Sequence, residues 1–270
     1  LLAPLFVLNA AVFASFLGGG FAAAAGAWGL LLTYGGGLGT QYLREAVFAT
    51  KLADQLALAT LTALFVDLEG RATRSRLAVV GLALGTVATH VFGAVQFAIT
   101  FGALGTGLLL RDRAWSPTLR RLGVTSLCCA AAVLPYLVWR SLGAYAPVNI
   151  IHTEPQGMLE LAPGVTVVSV GVLWDWLGNG WVLFPLAVPW LWRAGRRDPA
   201  ALFLLTTPAA VALVIFNPPV VALLEPRLGY LLMRMVWMVP LAPLLAWMLT
   251  GLVAAAWGAA AVLALTLAHR

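Results

Sequence analysis

Charge is what this sequence has least of. Only 10% of its 270 residues are Asp, Glu, Lys or Arg, against about a quarter in soluble globular domains. Hydrophobic residues make up 62%, and the mean hydropathy is +0.95. That poverty of charge excludes a water-soluble domain and leaves a membrane protein. Alternating segments of about ten residues, the mark of a transmembrane barrel, are also missing. Lysine occurs once, as Lys51, among sixteen basic residues, and the formal charge of +6 comes from arginines in short loops. Such a distribution marks the loops of a membrane protein, and we expect no nucleic-acid partner. The two cysteines, Cys128 and Cys129, are adjacent, which excludes a disulfide framework and any metal-ligand spacing. GxxxxGK[ST], HExxH and GxSxG are absent too, so nucleotide hydrolysis, zinc proteolysis and serine hydrolysis have no motif. No cofactor is expected, and nothing in the sequence supports a divalent metal.

What remains is apolar runs of about 15 to 22 residues, long enough to cross a hydrocarbon core of about 30 Å as helices. Only helices or closed barrels satisfy the backbone in lipid. The expected fold is therefore all-α: a polytopic transmembrane helical bundle of about 8–10 spans with an outer re-entrant or interfacial segment. The candidate spans are 1–17, 21–34, 47–66, 77–89, 91–110, 122–141, 177–192, 200–216, 229–249 and 252–268. The run 1–17 lacks a basic flank and a small-residue cleavage site, so it reads as a span and not a signal peptide. Residues 1–270 form a single transmembrane domain, which we expect to be a fragment of a longer protein.

The segments 67–76, 111–121 and 193–198 carry ten arginines, and the positive-inside rule places all three in the cytoplasm. The first two can share a side only if the chain crosses twice between them. Residues 77–110 are thus expected to form a hairpin turning near His90 and Gly93. By the same parity 35–46, 142–176 and 217–230 face the extracytoplasmic side, and a short break near Gly251 faces inward. Within the outer loop 142–176, PQGMLELAPGVTVVSVGVL is apolar enough for a re-entrant or interfacial helix.

Ionisable residues in or near spans are costly to keep in lipid, so each is a candidate for function. Most of those here fall on the outer half. Lys51, Asp54 and Gln55 share one helix face in ATKLADQLAL, where Lys51 and Asp54 suit either a neutralised pair or a phosphate site. His90 is placed at the outer turn, as an anion ligand, a proton relay or a helix cap. His152 and Glu154, in NIIHTEPQGMLEL, lie two residues apart, which suits an acid/base pair in extended chain but equally an ordinary solvated loop. In FNPPVVALLEPRLGYLLMRMVWMVP, Arg227, Tyr230 and Arg234 flank the entry to the next helix. Arg234 is about one turn inside the apolar region, so it needs an anion: Glu225, or a lipid phosphate gripped by its forked donors.

The order of these features (TKLA near the outer end of a span, a basic inner loop, ATH at a turn, the NIIHTEPQG loop, then FNPP and GYLLMRMVWMVP) resembles the C-terminal hydrophobic part of bacterial C-type membrane glycosyltransferases. The resemblance covers most of 40–245. It implies transfer of a sugar from a polyprenyl-phosphate carrier on the extracytoplasmic face, with membrane lipid as the surrounding partner. Lys51, His90, Arg227, Tyr230 and Arg234 then become candidate ligands for the carrier phosphate. In that family the catalytic acid lies in the first outer loop, upstream of the spans seen here. Asp54, His152 and Glu154 do not match that position, which leaves the catalytic residue unassigned. The alternatives are a transporter or flippase of a lipid-linked or small polar substrate, and a non-catalytic membrane assembly subunit.

Overall fold

The computed structural model describes residues 8–15, 20, 49–70, 74–142, 157–177, 181–229 and 231–268. Its elements are helix α1 at 8–15, then α2 Ala49–Glu69, α3 Ser75–Thr89, α4 Phe92–Asp112 and α5 Pro117–Leu142. Strands β1 Met158–Ala162 and β2 Val165–Val168 follow, then α6 Val170–Leu177, α7 Leu183–Gly195, α8 Pro199–Ile215, α9 Pro218–Leu228 and α10 Leu231–Arg234. A 3₁₀ turn Met235–Met238 leads into α11 Leu241–Ala268. The chain is an all-α membrane bundle, interrupted among the described residues by one small hairpin. Among the described residues three stretches are long and apolar enough to cross a membrane, Phe92–Asp112, Pro117–Leu142 and Leu232–Ala256. A fourth exists if α8 and α9, bent by 76° at Phe216 and Asn217, make one span.

The core forms where aromatic side chains from distant helices meet. Phe13, Phe65 and Phe203 stack pairwise with ring centroids 5.6 to 6.0 Å apart, tying α1, α2 and α8 together. Three buried threonines in the bundle donate back to their own helix: Thr60 to the Leu56 carbonyl, Thr86 to that of Leu82 and Thr100 to that of Gln96, each at 2.7 Å. This removes the cost of an unsatisfied hydroxyl in an apolar setting.

The hairpin expected within 77–110 is present, and it turns at His90 and Val91 between α3 and α4. His90 leaves the helix with φ −152° and ψ 118°, while its N–H still bonds the Thr86 carbonyl. The chain can reverse so tightly because position 93 is glycine: a Cβ there would meet Thr86 Cγ2 at 2.7 Å. Gly93→Ala should therefore destabilise the protein by about 1–3 kcal/mol. Adding Thr86→Ser, which deletes the offending methyl, should restore most of that loss. Thermal unfolding of the single and double variants in detergent checks both expectations.

At the other end of the same helices, a glycine and a buried carboxylate fasten three elements. Gly70 ends α2 at φ 70°, a left-handed backbone that favours glycine, beside the guanidinium of Arg121. Asp67, only 6% exposed, accepts from Ser75 Oγ at 3.0 Å and Thr125 Oγ1 at 2.6 Å. Arg76 Nε donates to Thr125 Oγ1 at 3.0 Å and lies 3.7 Å from the Asp67 carboxylate, while Arg121 donates to the Asp67 carbonyl at 3.3 Å. The described parts of the first two basic loops thus share one end of the bundle. The third joins them, because Gly107, near the end of α4, packs on Leu202 and Thr206, near the start of α8. This is the arginine-rich end, and His90 marks the opposite one.

Three expectations need correction. The segment following Gln156 is not a re-entrant or interfacial helix. Residues 158–168 form an antiparallel hairpin pairing Met158 with Val168 and Ala162 with Val165, and only Val170–Leu177 is helical. The reason is local: Pro163–Gly164 supplies a tight turn, with Gly164 at φ 73°, and VTVV is β-branched. Glu160 Oε1 accepts from the Gly164 N–H at 2.9 Å, so that carboxylate serves the turn. Second, no break occurs near Gly251, since α11 runs unbroken through it. One glycine costs a helix only about 1 kcal/mol, too little to interrupt a run of Ala and Leu. Third, α7 has only 13 residues, with Pro189 inside it, about 20 Å of helix, which falls short of a crossing. The expected spans 1–17 and 21–34 lie largely outside the described residues, and among those described three or four stretches are long and apolar enough to cross.

Candidate functional site

A cationic group assembles at the His90 end from three helices far apart in sequence. His90 contributes its ring from the α3–α4 turn, where Nδ1 accepts the Phe92 N–H at 3.3 Å. That bond fixes the neutral tautomer with its proton on Nε2. Burial, then the charges of Arg234 and of Arg140, hold the His90 pKa below its usual value. Two guanidinium groups thus act on the same imidazole.

Each arginine is held in place by an aromatic neighbour. Arg140 Nη1 donates to the Tyr136 hydroxyl at 3.1 Å, one turn back on α5, and that hydroxyl donates to the Ala88 carbonyl at 3.2 Å. This relay fastens Arg140 to the last turn of α3, beside His90. The Arg234 guanidinium sits over the Trp237 ring, 5.1 Å from its centroid, a cation–π contact that orients the fork. Two half-buried arginines beside a neutral imidazole make a place for an anion with several acceptor oxygens.

Of the residues singled out from sequence, His90 and Arg234 are brought together. Lys51 joins them in height: α2 and α3 run antiparallel, Asp67 is bonded to Ser75, and a Cβ on Gly85 would touch Leu56. Continuing that register puts Lys51 level with His90, although its side chain lies outside the description. Asp54, one turn further along α2, is half-buried and engaged in an interaction of its own. Arg227 is placed only by its backbone near the end of α9. Tyr230, His152 and Glu154 lie outside the described residues. Gly157 packs on Met233, the neighbour of Arg234, where a Cβ would lie only 3.0 Å from its sulfur.

Sequence reasoning missed Tyr136 as the positioner of Arg140, and it left Arg140 out of the phosphate ligands. The signal was present as an i, i+4 pair on one helix face, YLVWR. Among the described residues no three His, Cys, Asp or Glu side chains gather closely enough to hold a metal ion. No protein-family model, no curated protein and no solved structure matches this chain.

The lowered His90 pKa has a consequence with a definite sign. In the unfolded chain the imidazole takes up a proton as pH falls through its ordinary value of 6.5, whereas the folded group resists. Stability contributed by neutral His90 is therefore fully present at neutral pH and above. It is lost progressively as pH falls from 6.5 towards the lower folded value. His90→Gln should flatten this part of the pH dependence, and unfolding temperatures of the two proteins at pH 8 and pH 5 provide the comparison.

Proposed function

We propose that the chain is the membrane part of a glycosyltransferase-like enzyme that handles a polyprenyl-phosphate-linked sugar at the extracytoplasmic face of a bacterial cytoplasmic membrane. The observation that carries this reading is the convergence of His90, Arg140 and Arg234 at the bundle end away from the arginine-rich loops. A phosphate offers the charge and the several oxygens that two forked donors and an imidazole N–H satisfy together. The positive-inside rule puts the arginine-rich end in the cytoplasm and the cluster outside. In this reading the cluster positions the carrier phosphate, and His152 and Glu154 are candidate acceptor contacts. The sugar acceptor and the acid that activates it are left unassigned, with Asp54 the remaining candidate on the described helices.

The bent α8–α9 pair favours a second reading, a transporter or flippase, since broken helices frame the sites of many carriers. Reconstitution of the full-length protein in vesicles bearing a polyprenyl-phosphate-linked sugar separates the two. Sugar transfer to acceptors supplied only on the outer side supports the enzyme. Movement of the lipid-linked sugar between leaflets with no bond broken supports the carrier and overturns the enzyme.

A further inference from the structure

An apolar groove of about 480 Å³ runs along the seam between α4 and α5 and opens sideways. Small residues give it room, Ala98, Gly102 and Gly105 on α4 and Gly123, Ser126 and Ala130 on α5, between bulkier ones such as Phe97, Phe101 and Leu134. Both helices are long and apolar enough to cross the membrane, so the groove opens onto bilayer hydrocarbon. At the arginine-rich end the loop joining the two helices closes it, and there Trp115, 76% exposed, leans on Gly123. Arg113 in that loop and Arg120 on the first turn of α5 are exposed, and Arg120 lies one turn from Gly123 on the same helix face. The neighbouring Arg111 is neutralised by Asp112 at 2.6 Å.

We infer that this groove holds one acyl chain of an anionic phospholipid, with the lipid phosphate on Arg113 and Arg120. The apolar walls match hydrocarbon, and the two exposed cations at the closed end match the head. Trp115, which lies between them in sequence and lines the groove, is of the residue type that settles in a bilayer interface. Basic groups beside a cleft between membrane helices recognise anionic headgroups in this way. A helix from a second copy would also fit walls of small residues, but it gives the two arginines nothing to bind. The site lies at the end opposite His90 and is independent of the carrier-phosphate reading.

The test is native mass spectrometry of the full chain released from micelles containing phosphatidylglycerol or phosphatidylcholine. The expected result is one retained phospholipid, with a preference of about thirty-fold for phosphatidylglycerol, as two interfacial arginines provide. The double variant Arg113→Gln, Arg120→Gln should remove that preference. Gly102→Leu should expel either lipid, because a Cβ at Gly102 meets nothing within 4 Å and the added side chain enters the groove. Equal retention of the two lipids, or a preference that survives loss of both arginines, would overturn the site. So would a dimer that Gly102→Leu dissociates. Should Gly102→Leu fail to fold, the arginine variant decides alone, since it alters only exposed side chains.

Discussion

Replacing Arg234 with alanine is expected to weaken binding of polyprenyl phosphate by about 2–5 kcal/mol, thirty-fold or more in Kd, and to abolish sugar transfer. Arg234 and Arg140 are the two guanidinium groups whose charges act on His90, so losing Arg234 removes one of the cluster's two forked donors. Its guanidinium is already oriented by Trp237, so little ordering remains to oppose binding. Arg234→Lys should recover only part of the affinity, because an ammonium keeps the charge and loses the fork. The stacking lost with Trp237 is worth about 0.5–2 kcal/mol to the fold. Unfolding temperatures measured beside titrations of polyprenyl phosphate therefore separate a folding defect from a binding defect. A variant that is folded and binds as the unaltered protein does would remove Arg234 from the site.

The largest effect on stability should come from the other end of the bundle. Asp67→Ala leaves the Arg76 guanidinium without its carboxylate and takes the acceptor from Ser75 and Thr125. Breaking a buried charged pair costs about 3–5 kcal/mol. The lower figure applies here because the Arg76 side chain remains 38% exposed and water reaches it. Asp67→Asn should fall between, at about 1–2 kcal/mol, since the amide oxygen still accepts one of the two hydroxyl protons. Both variants should keep their affinity for polyprenyl phosphate, because distant sites are close to additive. Chemical denaturation in detergent reads the first effect, and lipid titration reads its absence at the His90 end. An Asp67→Ala protein of ordinary stability would mean that the Ser75 and Thr125 contacts hold nothing together.

The helices and the hairpin turn at His90 were legible because hydrophobic length and arginine placement are one-dimensional signals. Lipid demands the first, and the second led to the expectation of a turn between the basic loops, although α3, with 15 residues, is shorter than the stretches long enough to cross. Other features depended on quantities a linear pattern does not carry. The β-hairpin at 158–168 was hidden because an apolar run of that length fits a strand as well as a surface helix, and Pro163–Gly164 decides between them. The break foreseen at Gly251 failed because one glycine is too weak a signal in a run of strong helix formers. Asp67 escaped notice in VDLEGR, where a carboxylate beside arginines looks like loop polarity until the fold buries it. Of the cluster, His90 and Arg234 were visible as costly groups near apolar spans. Tyr136 was not, because its role comes from the carbonyl of Ala88, 48 residues away.

The central claim is that Arg140 and Arg234 act on one shared anion. A double-mutant cycle on polyprenyl-phosphate affinity, using Arg140→Gln, Arg234→Gln and the two combined, tests it most directly. A shared phosphate predicts coupling on the order of 0.5–3 kcal/mol, the double variant losing less than the two singles together. Losses that add to within about 0.5 kcal/mol would place the two arginines in separate sites and contradict the account.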